Sequence, residues 1–193
     1  MKIDISQNYV IKEGMIYMIE AFKNNPCLET ICIQDNWLKE EAIEEFWIYL
    51  SVYAKKVISI NISDCAIGDV GVQEIMESLD KSQCKHILEE FFMDYNDIER
   101  SKTFWDIFDV LSTWSNLKTS SLIGNNIRSQ LKKFAIKEFR KYGVNIVFDH
   151  DYSEEGISCE EDENYDQITV DMKEGNYTSP PRSYVDLLND GFL

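Results

Sequence analysis

Long hydrophobic runs are missing from this sequence. No stretch approaches the roughly 18 consecutive apolar residues of a membrane-spanning helix, and the opening MKIDISQNYV lacks the apolar centre of a secretory signal. A membrane partner is therefore not expected. The cysteines (Cys27, Cys32, Cys65, Cys84 and Cys159) are odd in number and form no CxxC or metal-finger spacing. With no export signal they read as free thiols in a reducing cytoplasm. Histidine is scarce, with only His86 and His150. His86 lies two residues from Cys84, but a nucleophilic thiolate needs an activating base and setting that nothing else near it supplies. The segment DHDYSEE (149–155) lacks the spacing and turn glycine of a calcium loop. A glycine-rich phosphate loop is absent as well. No metal, no cofactor and no intrinsic catalytic centre are expected.

Positive charge is also in short supply. The chain has 19 Lys and Arg against 35 Asp and Glu, a net charge of −16. The deficit is uneven. Residues 1–148 hold 17 basic and 22 acidic residues (net −5), whereas residues 149–193 hold 2 and 13 (net −11). Such a chain repels nucleic acid and anionic membranes and attracts proteins with a basic surface. Few aliphatics and dense like charge predict a flexible acidic tail over 149–193. The tail ends in a short apolar segment (Tyr184, Val185, Leu187, Leu188, Phe192, Leu193) that could dock.

What the sequence does have is an internal repeat. The pattern L-x-x-L-x-L-x-x-N/C-x-L occurs as LETICIQDNWL (28–38), VISINISDCAI (57–67), LEEFFMDYNDI (88–98) and LKTSSLIGNNI (117–127), with a truncated copy, IDISQNYV, at 3–10. The ninth-position residues are Asn8, Asn36, Cys65, Asn96 and Asn125, spaced by 28, 29, 31 and 29 residues. The pattern resembles leucine-rich repeats. Its x-L-x-L core has the alternation of a short strand. The Asn or Cys is expected to turn inward and satisfy backbone groups of the loop, forming a structural ladder along the stack. In LKTSSLIGNNI, Ser120 replaces an apolar position.

A helical period follows each loop: Gly14, Met18, Phe22; Ala42, Phe46, Leu50, flanked by Ile43 and Trp47; Gly71, Ile75, Leu79; Thr103, Ile107, Leu111; Leu131, Ala135, Phe139. A repeat of this length carrying a full helix resembles the ribonuclease-inhibitor-like class of leucine-rich repeats. The expected fold is thus an α/β leucine-rich repeat solenoid over 1–148. It has about five repeats, parallel strands on the concave face and helices on the convex face. GVNIVFDH (143–150) reads as a closing strand. The chain starts inside a strand without a polar cap, so Ile3, Ile5, Met15 and Ile19 are expected to form an exposed apolar end. That suits the C-terminal part of a longer arc, or alternatively an open end that pairs with another chain.

Leucine-rich arcs usually bind proteins through the outward strand residues and adjoining loops. The candidates here are Gln34, Asp35, Trp37, Asn61, Ser63, Asp64, Phe92, Asp94, Tyr95 and Arg100. Trp, Tyr and Arg are the types that most often dominate interfaces. The long repeats, the phrase INISDCAIGDVGVQEIMESL and the acidic segment after the last repeat together resemble the C-terminal half of a Ran GTPase-activating protein. That resemblance implies a protein partner, the small GTPase Ran, and a role in nucleocytoplasmic transport. In that family the arc orders Ran's own catalytic glutamine, aided by an Asn in an N-terminal loop. The loop has no counterpart in this chain, so the resemblance implies at most a GTPase activator, truncated so that it lacks the N-terminal catalytic loop. The alternative is a non-catalytic leucine-rich repeat interaction scaffold, tropomodulin-like or species-specific.

Overall fold

The computed structural model describes residues 1–38, 46–50 and 52–149. The tail and its apolar end lie outside the described residues, apart from Asp149, as do Ala42 and Ile43 of the second helical stripe. The chain divides into two units, Met1–His150 and Asp151–Leu193.

Each three-residue segment centred on the repeat's inward position, apolar in all but β5, forms one strand: β1 (Lys2–Asp4), β2 (Thr30–Cys32), β3 (Ser59–Asn61), β4 (Glu90–Phe92), β5 (Thr119–Ser121) and β6 (Asn145–Val147). They pair in chain order, all parallel, into one unclosed six-stranded sheet. Parallel neighbours need a crossover connection. Helices supply it: α1 (Lys12–Lys23), α2 (helical at residues 46–50), α3 (Gly68–Lys81), α4 (Ser101–Ser112) and α5 (Ser129–Arg140). The α/β class and the parallel strands are as the repeat predicts, and GVNIVFDH contributes β6.

The sheet register aligns Ile3, Ile31, Ile60, Phe91, Ser120 and Ile146 in one row facing the helices. Ile31, Ile60, Phe91 and Ser120 are fully buried. Helix residues meet them at the predicted period: Phe46, Ile75, Ile107 and Ala135 are buried in α2 to α5. Toward β6 the core becomes aromatic. Trp105 and Phe108 pack on Phe134 at 5.3 Å each, and Phe108 lies 5.2 Å from Phe139.

One expectation about the β1 end is corrected. Met15 and Ile19 are buried, at 0% and 2% exposure. They occupy the helix positions of Val72 and Met76. One residue along a helix turns the side chain by about 100°, which carries these two into the core. Gly14 and Met18 are left half-buried at that end, with Ile3, Ile5 and Val10.

The ninth-position residues join neighbouring coils. The Asn36 side-chain oxygen accepts the Asn8 and Val10 N–H groups, and its Nδ2 donates to the Ile5 and Ile33 carbonyls. Asn96 accepts from Cys65 and Ile67 and donates to Ile62. Asn125 accepts from Asn96 and Ile98 and donates to Met93 and Leu122. Cys65 is 1% exposed, and its thiol donates to the Ile33 and Ser63 carbonyls, both at 3.3 Å. Asn8, in the first coil, is exposed and bonds only its own loop through Nδ2. These bonds satisfy loop groups that neither sheet nor helix reaches.

Candidate protein-binding face

The residue before each ladder position is left-handed: Gln7 (φ 61°), Asp35 (54°), Asp64 (54°), Tyr95 (52°) and Gly124 (70°). The turn that aims the ladder residue inward requires this conformation, which Asp and Gly tolerate and a bulky Tyr resists. In the four coils that carry a side chain there, Gln7, Asp35, Asp64 and Tyr95 are left exposed at the sheet's end. Tyr95 is 47% exposed. The Tyr95 ring lies where a Cβ on Gly124 would have to be. A glycine in the next coil is what lets the ring fold across it.

Inside these residues a second row runs across the open sheet face as a hydrogen-bond chain. Asn61 Nδ2 donates to Gln34 Oε1 (3.1 Å), and Asn61 Oδ1 accepts the Ser63 N–H (2.9 Å). The Ser63 hydroxyl accepts the Asp94 N–H (3.0 Å), while Asp94 Oδ1 accepts from the Ser121 hydroxyl (2.5 Å) and the Ile123 N–H (2.7 Å). Gln34, Asn61 and Asp94 are half-buried, and Phe92 sits half-buried between them. Ser63 departs from its expected place at the surface. It is 3% exposed, because its N–H and hydroxyl are both drawn into this chain.

The remaining candidates stand further along the loops. Trp37 is 62% exposed. Its template equivalent in the first coil is Tyr9, 87% exposed, which the sequence reading missed although both directly follow a ladder asparagine. Arg100 stands at the start of α4. Its N–H donates to Asp69 Oδ1 (3.1 Å), and its Nε lies 3.8 Å from Asp69 Oδ2. It is tethered to the preceding coil's loop rather than to the strand rows. The structure therefore gathers Gln34, Asn61, Phe92 and Asp94 on the sheet face and Asp35, Asp64 and Tyr95 along its rim, with Trp37 beyond and Arg100 apart.

Burial pushes the Cys65 thiol up to about 12. Burial raises Cys84 as well, and its thiol donates to the Leu50 and Ala54 carbonyls while His86 is exposed. Neither thiol is a ready thiolate. Among the described residues, no group of three or more His, Cys, Asp or Glu is placed to hold a metal ion. No described helix is long and apolar enough to cross a membrane.

No protein-family model matches the chain, and no curated protein matches it. Solved structures do match. One is titled "Leiomodin-1 Actin-Binding Site 2 (ABS2)", with a TM-score of 0.60 and 16% identity, covering 74% of this chain and 79% of that one. That likeness, with the parallel sheet, supports a leucine-rich-repeat type of fold; the resemblance to a Ran GTPase-activating protein finds no counterpart in these comparisons.

Proposed function

We propose that this chain is a non-catalytic interaction scaffold of the leucine-rich-repeat type, which binds a protein with a basic surface along the rim and open face of its sheet. The observation that carries the reading is the left-handed rim: successive coils project Asp35, Asp64 and Tyr95 from one line, backed by Asp94. Strands in a sheet are spaced about 4.8 Å apart, so the rim presents carboxylates and an aromatic ring at regular short intervals. A rigid row of this kind suits charge pairing to Lys or Arg, with Tyr95 and Trp37 as anchors. A reducing compartment, the cytoplasm, belongs to the same proposal and rests on the sequence alone, which offers no export signal.

The similar solved structure is by its title an actin-binding site, which makes actin the first partner to assay. Ran is the finer reading implied by the sequence resemblance, and belongs in the same experiment. Fluorescence anisotropy of the labelled full chain against each protein is compared between wild type and an Asp35→Lys, Asp64→Lys double variant. The reading expects binding to at least one of them, weakened about tenfold or more by the double reversal, with no change in fold by circular dichroism. Binding that ignores the reversal, or none to either protein, sinks it. Faster GTP hydrolysis by Ran would favour the activator reading instead.

A further inference from the structure

The two ends of the sheet differ in how completely the core is closed. At β1, five template positions are half-buried: Ile3, Ile5, Val10, Gly14 and Met18. Their equivalents in the third coil, Ile60, Ile62, Ile67, Gly71 and Ile75, are all buried. At β1 these positions are left partly wet, with no further layer over them among the described residues. Beside them Ile11 is 56% exposed and Tyr17 78%. The end is also electrically balanced in an acidic chain: residues 1–25 contain Lys2, Lys12 and Lys23 against Asp4, Glu13 and Glu20.

The backbone of β1 specifies what could cover it. The Met1 carbonyl accepts from the Glu29 and Thr30 N–H groups, and the Ile5 N–H donates to the Cys32 carbonyl, so residues 1 and 5 address β2. Strand alternation turns the N–H and C=O of Lys2 and Asp4 the other way, to the sheet's outer edge. No described strand pairs with that edge. An antiparallel strand centred on Ile3 would form a hydrogen-bonded pair with Lys2 and another with Asp4. If that strand is β1 of a second copy, Lys2 falls opposite Asp4 of the second copy and Asp4 opposite its Lys2. The side chains of Lys2 and Asp4 are exposed, on the face away from the helices, and Ile3 points to the core side. Asp4 Oδ1 is already held by the Ser6 N–H and hydroxyl, at 3.2 and 2.6 Å, and its Oδ2 lies 4.0 Å from Lys2 Nζ. The edge is therefore complementary to itself in hydrogen bonding, in charge and in the apolar row, which is what a two-fold interface demands.

We infer that β1 pairs antiparallel with β1 of a second copy, joining two six-stranded sheets across a two-fold axis and covering the half-buried row of Ile3, Ile5, Val10 and Met18. This goes beyond the proposed partner site, which uses the rim and open face and would exist twice in the dimer. It does not depend on that reading, since the assay is self-association alone.

The test is sedimentation equilibrium of the full chain, with circular dichroism to verify folding. Wild type is expected to be a dimer. Lys2→Glu puts two acidic side chains opposite each other at both symmetric positions, and Asp4→Lys does the same with two lysines. Each should weaken dimerisation roughly tenfold, from two reversed cross-strand pairs. The Lys2→Asp, Asp4→Lys double swap restores opposite charges and should restore the dimer. A wild type that stays monomeric overturns the inference. So does a dimer indifferent to both single reversals, or one that the double swap fails to rescue.

Discussion

Cys65 shows how a single slot in the repeat constrains chemistry. Its thiol is spent on two carbonyls, and burial holds its pKa at about 12. In the unfolded chain the thiol ionises near 8.5. Below that pH both states keep the proton, and this group adds no pH dependence. Above it the unfolded chain alone releases the proton, so stability falls as pH rises toward about 12, by about 1.4 kcal/mol per unit. Urea melts at about pH 8 and about pH 10 should show this loss in wild type, and a smaller one in Cys65→Ala. Cys65→Asn, which matches Asn36 and Asn96 in the neighbouring coils, should stay within about 1 kcal/mol of wild type. Cys65→Lys should cost about 3 kcal/mol or more, by burying an unpaired charge. Tyr95 and Gly124 offer a second case. Gly124→Ala forces a side chain into a left-handed residue and into the Tyr95 ring. It should cost about 1–3 kcal/mol, and part of that should return when Tyr95→Ala removes the ring, a coupling that a double-mutant cycle measures.

At the scale of the element, β5 is the strand whose sequence fits least well. Its register pairs Phe91 with Ser120 and Ser120 with Ile146. Ser120 is fully buried, and its hydroxyl has no hydrogen-bond partner among the described residues. A buried hydroxyl without a partner costs about 1–3 kcal/mol. Ser120→Val removes that cost and adds apolar contact between two apolar neighbours, so it should raise the unfolding free energy by about 1 kcal/mol or more. A thermal melt that falls instead would mean the site has no room for the extra methyl. The strands and helix stripes were legible because their residues repeat at fixed spacing: Ile31, Ile60 and Phe91 mark one row, and Ile75, Ile107 and Ala135 mark another. The rim was legible only in part. Asp35 and Asp64 suggest a surface, but the left-handed turn that aligns them with Tyr95 is a backbone property that no residue type announces. Ser63 was misplaced for a related reason. Alternation puts it on the open face, and only the hydrogen-bond chain from Asn61 to Asp94 shows that it is covered. Met15 and Ile19 stand one step off the helix stripe, where an apolar residue still faces the core and not the end, a distinction that apolar type alone does not carry.

At the scale of the whole molecule, charge separates the two surfaces. The rim that carries the proposed partner site is acidic, whereas residues 1–25, which build the β1 end, are neutral. Salt should therefore act on them with opposite sign. Pairing between the rim and a basic protein is a long-range attraction, and it weakens as the screening length shrinks from about 30 Å at 0.01 M to about 3 Å at 1 M. Self-association instead brings together two chains of net charge −16. Its attractive ionic part is two exposed Lys–Asp pairs, worth about 0–1 kcal/mol each. The repulsion between the rest of the two molecules is spread over many more charges, and apolar contact at Ile3, Val10 and Met18 is indifferent to screening. Raising NaCl should thus loosen the partner complex, by about tenfold or more over that range, while the dimer tightens or holds. Anisotropy for the partner and sedimentation for the dimer, run on the same salt series, check both signs. If the two affinities fall together, the β1 end is not the neutral contact argued above, and the two sites share one electrostatic surface.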